Sequence, residues 1–194
     1  MAGADPPDAE ASLLPLFLKL GGKRVLVVGA GSVAERKIEA LLEVGARVCV
    51  VAPEATEGVK LLAHGGRIEW HARPFDETDA DDTWLVFAAT SDAGTQARVA
   101  RATDARRVFC VAVDDKANAS AYSGSLVCRP PFTIAISSGG ATPALTRLVR
   151  EVVEHVLPGE DWVHHATRLR TKWLAESTPM GDRFAELVRD VKKE

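Results

Sequence analysis

Residues 24–53 read RVLVVGAGSVAERKIEALLEVGARVCVVAP, and the fold follows from them. Arg24–Val28 is a short apolar run between Gly21-Gly22 and Gly29. A run without polar alternation is what a strand covered on both faces shows. From Ser32 the apolar positions move to a period near 3.6, with Ala34, Ile38 and Leu41 on one face, which predicts an amphipathic helix. Gly45 follows where helices commonly close on a left-handed residue. Arg47–Val51 is a second buried strand, ended by Ala52-Pro53. Strand, glycine turn, helix and strand within about 30 residues make one βαβ unit.

The same alternation continues outward. A weaker helix around Thr56–Ala63 leads through Gly65-Gly66 to a third strand near Arg67–His71. Trp84–Ala88 reads as a fourth strand, Ala93–Thr103 as a helix and Val108–Val113 as a fifth strand. Repeated βα units with apolar strands imply a parallel sheet with helices on both faces. After Asp114 the pattern changes. A polar stretch, Asp115–Ser125, precedes two short strands, Ser125–Cys128 and Phe132–Ser137, with Arg129-Pro130-Pro131 between them. The turn Ser137-Ser138-Gly139-Gly140 then feeds an amphipathic helix, with Thr142 as N-cap and Pro143 at the first helical position. Leu145, Leu148, Val149, Val152 and Val156 form its apolar stripe. Two more helices follow Gly159, the second opened by Thr178-Pro179 and carrying Phe184, Leu187, Val188 and Val191. The fold class is therefore α/β: a Rossmann-type parallel sheet over 13–114, a small α+β module over 115–158 and a helical segment over 159–194. Residues 1–12, rich in Ala, Asp and Pro, read as a disordered tail.

Composition narrows the function. A chain of 194 residues, 46% hydrophobic, can bury a sizeable core. No apolar run approaches the roughly 20 residues a bilayer requires. Met1–Glu10 lacks a basic residue, so the signature of a secretory leader is missing there and the cytoplasm is the expected location. A net charge of −3 gives no general attraction to nucleic acid or to an anionic membrane. Cys49, Cys110 and Cys128 are odd in number, widely spaced and set among apolar neighbours, so buried reduced thiols are expected.

The first chemical signal is Gly29-Ala30-Gly31-Ser32-Val33-Ala34, a G-x-G-x-x-A fingerprint lying between a buried strand and a helix. Gly29 permits the tight turn, Gly31 lets backbone approach a pyrophosphate, and the helix N-terminus faces the anion. The acidic residue expected about 20 positions further on is absent: Val51-Ala52-Pro53 stands there, with Glu54 just beyond. Glu54 either holds the ribose or caps the next helix. No Arg or Lys stands there for a 2′-phosphate, which favours NAD over NADP as cofactor.

Leu14–Leu18, Val27–Lys37, Val50–Pro53, Arg73–Phe75, Phe87–Asp92, Val113–Asp115 and Ala135–Pro143, in that order and spacing, resemble the siroheme synthase N-terminal family over about residues 13–158. The resemblance implies a precorrin-2 dehydrogenase: NAD-dependent oxidation of precorrin-2 to sirohydrochlorin, with ferrous iron insertion as a second reaction in some members. It implies NAD contacts at Ser32, Val33, Pro53 and Glu54 and a functional carboxylate at Asp114. It also implies that the segment after the fifth strand is a dimerisation module, making a homodimer whose chains share active sites. Gln96, Val111, Ala121 and Gly124 depart from the family's usual Asn, Asn, Phe and Pro, all on the substrate side.

Asp114 ends a predicted parallel strand, where ligands of open α/β sheets bind, and a carboxylate there can take the proton that accompanies hydride loss. The plainer role is a turn cap, by Asp114 or Asp115. A carboxylate-rich tetrapyrrole needs donors and positive charge. Ser137, Ser138, Gly139 with the neighbouring Gly140, Arg129 and Arg147 are the candidates, with Arg150 and Lys116 behind them. The pair His164-His165 points two ways on a helix, and His64, His71 and His155 lack ligand-like spacing, so no metal site is expected. A module that senses NAD without redox chemistry, or a scaffold that binds tetrapyrrole inertly, would share the fingerprint.

Overall fold

The computed structural model describes residues 13–139, 141–157 and 159–191. The expected tail, residues 1–12, lies outside the described residues, as do Gly140 of the glycine turn and Pro158 at the expected module boundary.

Strands β1 (Arg24–Val28), β2 (Arg47–Val51), β3 (Glu69–His71), β4 (Leu85–Ala88) and β5 (Phe109–Ala112) form one parallel sheet in the order β3-β2-β1-β4-β5. Alternate residues of β1, β2, β4 and β5 enter two separate cores. Val25 and Val27 pack with Ile38 and Leu41 of α1 (Ser32–Glu43) and Val59 of α2 (Glu57–His64). Leu26 and Val28 pack with Phe75, Val86 and Val99, the last on α3 (Ala93–Ala105). Full burial of such side chains contributes about 1.5–3 kcal/mol each, which is why β1 has no polar alternation. Val28 pairs in register with Val51 and Ala88, so three strands end together at one sheet edge. The chain winds outward from β1 to β3, then crosses β1 to lay down β4 and β5. That reversal leaves a crevice outside the carboxyl ends of β1 and β4.

Two boundaries differ from expectation. β3 begins at Glu69 because the Arg67 N–H donates to Leu62 O and so closes α2. Trp84 stands just outside β4, exposed, with the Lys23 ammonium 3.7 Å above its ring.

The described chain divides into two compact units: one running to Ser123 with 139–141, the other comprising 124–138 and the residues from Thr142 onward. The second unit holds an antiparallel pair, β6 (Ser125–Arg129) and β7 (Phe132–Ile136), followed by α4 (Pro143–Val156), α5 (Glu160–Ala175) and α6 (Met180–Val191). A Cβ at Gly124 would lie 2.7 Å from Ile136 O, so only glycine fits where the chain enters β6. Cys128 corrects the expectation of three buried thiols: it is exposed, while Cys49 and Cys110 are buried. An antiparallel pair covered on one face turns alternate residues outward, and here Val127 is the buried neighbour. Thr142 makes no side-chain cap. Instead Ser138 Oγ accepts hydrogen bonds from the Thr142 N–H (3.2 Å) and the Thr146 hydroxyl (2.9 Å). The α4 stripe forms on one face as expected, yet Leu145, Leu148, Val149, Val152 and Val156 are all exposed. Among the described residues, no helix is long and apolar enough to cross a membrane.

Candidate active site

The two glycines of the fingerprint are required for different reasons. Gly29 has φ +109°, and a Cβ there would lie 2.3 Å from Ala89 O. It is needed for the turn itself, because the backbone leaving β4 passes directly beside it. Gly31, the N-cap of α1, is extended at φ −80° and ψ −176°. A Cβ there would meet nothing within 4 Å among the described residues. Neither conformation nor packing within the protein demands glycine at that position. The space it leaves open fits a pyrophosphate drawn close to the first amides of α1, which no helical carbonyl satisfies.

That space belongs to a cavity of about 540 Å³ at the sheet's switch point. Gly31, Ser32 and Val33 line one wall, Ala89, Thr90 and Ser91 another, and Gln96, Val113, Asp114 and Asp115 the end nearest β5. Its size suits a small-molecule ligand. Thus the structure brings Gly31, Ser32, Val33 and Asp114 together, although the last lies 83 positions after the first in the chain.

Asp114 lies two residues beyond β5 at φ +58°, a left-handed conformation that Asp tolerates better than most side chains. Asp115, not Asp114, caps the turn that follows: its Oδ1 accepts from the Asn118 N–H (3.3 Å) and its Oδ2 from Asn118 Nδ2 (2.6 Å). Among the described residues no hydrogen bond or ion pair engages the Asp114 side chain. The Val113–Asp114 connection is held from both sides. The Val113 N–H donates to Ala88 O at 3.0 Å, and Gln96 Nε2 donates to Val113 O at 3.2 Å and to Thr90 O at 2.6 Å.

Gln96 is the residue that sequence reasoning underrated, noted only as a departure from the family. It is buried, and its Oε1 has no hydrogen-bond partner among the described residues. A buried unsatisfied acceptor costs about 1–3 kcal/mol, set here against a tie between the ends of β4 and β5. The available signal was a long amide side chain among the small residues Val99, Ala102 and Thr103 of the buried face of α3.

The remaining expected contacts fall elsewhere. Pro53 and Glu54 are exposed and are not part of the cavity lining. Ser137, Ser138, Arg129 and Arg147 belong to the second unit, and Gly139 is a left-handed residue at φ +62°. The Arg129 guanidinium donates to Leu157 O (2.6 Å) and Glu154 O (2.8 Å), satisfying carbonyls at the end of α4. Arg147 pairs with Glu151 at 2.9 Å, and Arg150 with Glu154. Sequence spacing also hid one cluster: Cys49, Glu69 and His71 approach within 4.8 Å because β2 and β3 pair in parallel. Arg24 donates to Cys49 Sγ (3.7 Å) and His71 pairs with Glu69 (3.0 Å), so these groups already satisfy one another.

Comparison with known proteins accords with this geometry. The family model described as "Putative NAD(P)-binding" matches residues 16–125, which carry the whole parallel sheet. The chain belongs to this NAD(P)-binding family. Siroheme synthases from Salmonella schwarzengrund (strain CVM19633) and Salmonella typhimurium are each 40% identical to it over 172 residues, 88% of this chain and 38% of theirs. The chain therefore spans well under half the length of these curated relatives, and the resemblance read from the motifs is borne out. The solved structure of SirC, precorrin-2 dehydrogenase, superposes with a TM-score of 0.70 at 20% identity, covering 94% of this chain and all of that one. That likeness is one of fold.

Proposed function

We propose that this member of the NAD(P)-binding family is an NAD-dependent precorrin-2 dehydrogenase, converting precorrin-2 and NAD⁺ to sirohydrochlorin, NADH and a proton. One juxtaposition supports this best: the open space at Gly31 and the carboxylate of Asp114, without a partner among the described residues, share one cavity. The nicotinamide ring, when bound, supplies the hydride acceptor. The amides of Ser32 and Val33 hold the pyrophosphate at the start of α1. Asp114 accepts the proton released as the macrocycle is oxidised, and Gln96 keeps its backbone in place. The names of the relatives, siroheme synthase and precorrin-2 dehydrogenase, point to the same substrate class.

The exposed apolar face of α4 supports a homodimer within the same proposal. Five aliphatic side chains on one helix face, all in water, are what an isologous interface covers with its own copy. The module over 115–158 is then the part of the chain that pairs, and Ser137, Ser138 and Gly139 are its donors toward substrate carboxylates.

Purified protein given precorrin-2 and NAD⁺ is expected to form NADH and sirohydrochlorin in equal amounts, followed by absorbance. Asp114→Asn, which tolerates the left-handed backbone, should lower kcat about 10²–10⁴-fold while NAD⁺ affinity stays within about threefold. NAD⁺ binding without any turnover by the wild-type chain would establish a sensor in place of an enzyme.

A further inference from the structure

Dinucleotide folds of this class usually hold the adenosine ribose with an acidic residue at the end of the second strand, but β2 ends here on Val51 followed by Ala52-Pro53. A different carboxylate reaches the same corner. Glu35, in the first turn of α1, lies against the N-terminus of α2: its Oε2 accepts from the Thr56 hydroxyl at 2.6 Å. Thr56 is the N-cap of α2, its Oγ1 accepting from the Val59 N–H at 3.3 Å. The Thr56 N–H donates to Ala30 O at 3.0 Å, inside the glycine turn. The connection from β2 to α2 is therefore tied to the turn expected to take the pyrophosphate, with the Glu35 carboxylate at the junction. Gly58 makes room for it. A Cβ on Gly58 would fall 1.7 Å from Glu35 Oε1, which accounts for glycine in the first turn of a helix, where it is disfavoured.

We propose that Glu35 makes the coenzyme site selective for the 2′-hydroxyl of NAD against the 2′-phosphate of NADP, an inference that rests on the dinucleotide reading above. The cause is electrostatic. A helix N-terminus beside the ribose carries free amides and partial positive charge that would welcome a phosphate. At α2 that position is already held by a carboxylate, with Glu54 in the preceding loop and Glu57 in the first helical turn adding negative charge. Residues 52–59 contain no Lys or Arg, and the next cation, Lys60, is paired with Glu57 at 2.6 Å. A hydroxyl can approach such a corner; a phosphate dianion is repelled from it.

Glu35→Gln removes the charge while keeping the size and a hydrogen-bonding partner for Thr56. Affinities for NADH and NADPH, read from quenching of the protein's tryptophan fluorescence, are measured for wild type and variant alongside a thermal melt. The variant is expected to gain on the order of tenfold for NADPH, with NADH within about twofold, and the gain should shrink as salt rises. Gly58→Ala keeps the charge but displaces the carboxylate, so it should shift the ratio in the same direction by less. It also serves as the test if Glu35→Gln fails to fold. A wild type that binds both coenzymes equally, or a ratio unchanged in a folded variant, overturns the role of Glu35 and leaves the dinucleotide site standing. A wild type that binds neither overturns the dinucleotide reading itself, and this inference with it.

Discussion

At Gly31 the protein leaves room that no atom of the described residues uses. Gly31→Val should therefore weaken NAD⁺ binding by at least about a hundredfold, because the added methyls fill the pyrophosphate cradle. The melting temperature should stay within a few degrees, since a Cβ there touches nothing within 4 Å. Titration calorimetry beside a circular-dichroism melt reads both effects, and a parallel loss of stability would mean the glycine serves packing instead. The cysteines give a second check at this scale. Burial pushes the Cys49 thiol above its ordinary range, although the Arg24 charge beside it acts the other way. Burial likewise raises Cys110, against an opposing hydrogen bond from Thr103. Both stay protonated near neutral pH, so a thiol reagent should modify Cys128 first, and Cys49 and Cys110 only on unfolding. The fingerprint glycines and Asp114 were legible in the sequence, because turn chemistry and strand ends are local features. Gln96 was not: its partners are the Thr90 and Val113 carbonyls on two different connections, 6 and 17 residues away.

At the scale of elements, the short turn before β4 shows how an ion pair buried on its carboxylate side holds a connection. Asp79 is nearly enclosed and takes both guanidinium arms of Arg73, at 2.5 and 2.8 Å, together with the Asp76 N–H at 2.9 Å. Burial alone would raise the Asp79 carboxyl, but these donors outweigh it and hold the group below its ordinary range. A carboxyl whose folded pKa is depressed adds stability above its unfolded value, about 4, and that stability is lost as pH falls from there toward the folded value. Asp79→Asn should accordingly cost about 1–3 kcal/mol at pH 7, because Arg73 is partly exposed and keeps some solvation. The difference from wild type should shrink in urea melts below about pH 4. A constant difference at both pH values would assign the loss to packing. Element positions were read correctly from periodicity, while the ends that moved did so by one or two residues. β3 lost Arg67 to the closing turn of α2, a backbone bond that no side-chain pattern announces.

For the whole molecule the decisive feature is the uncovered face of α4. Leu148 and Val152 are each more than half exposed, and water contact over such a stripe is unfavourable by roughly 25 cal/mol per Å² of apolar surface. Leu148→Asp with Val152→Asp should shift the protein from dimer to monomer in size-exclusion chromatography with light scattering. Turnover should fall with it if both copies build each active site. An unchanged mass would remove the homodimer from the proposal. Sequence showed that α4 has an apolar stripe, but the same pattern serves a helix packed on its own core and one packed on a second copy.

What the sequence settled by itself is the class of architecture and the place of the glycine turn after β1. Hydrophobic period, glycine position and strand length act between near neighbours, and near neighbours are what a linear string records. Only the tertiary structure decided that Gly31 and Asp114 face one cavity, that the Glu35 carboxylate meets the N-cap residue of α2, and that Cys128 turns outward. Each depends on strand order and register, which join residues tens of positions apart through packing of the sheet as a whole.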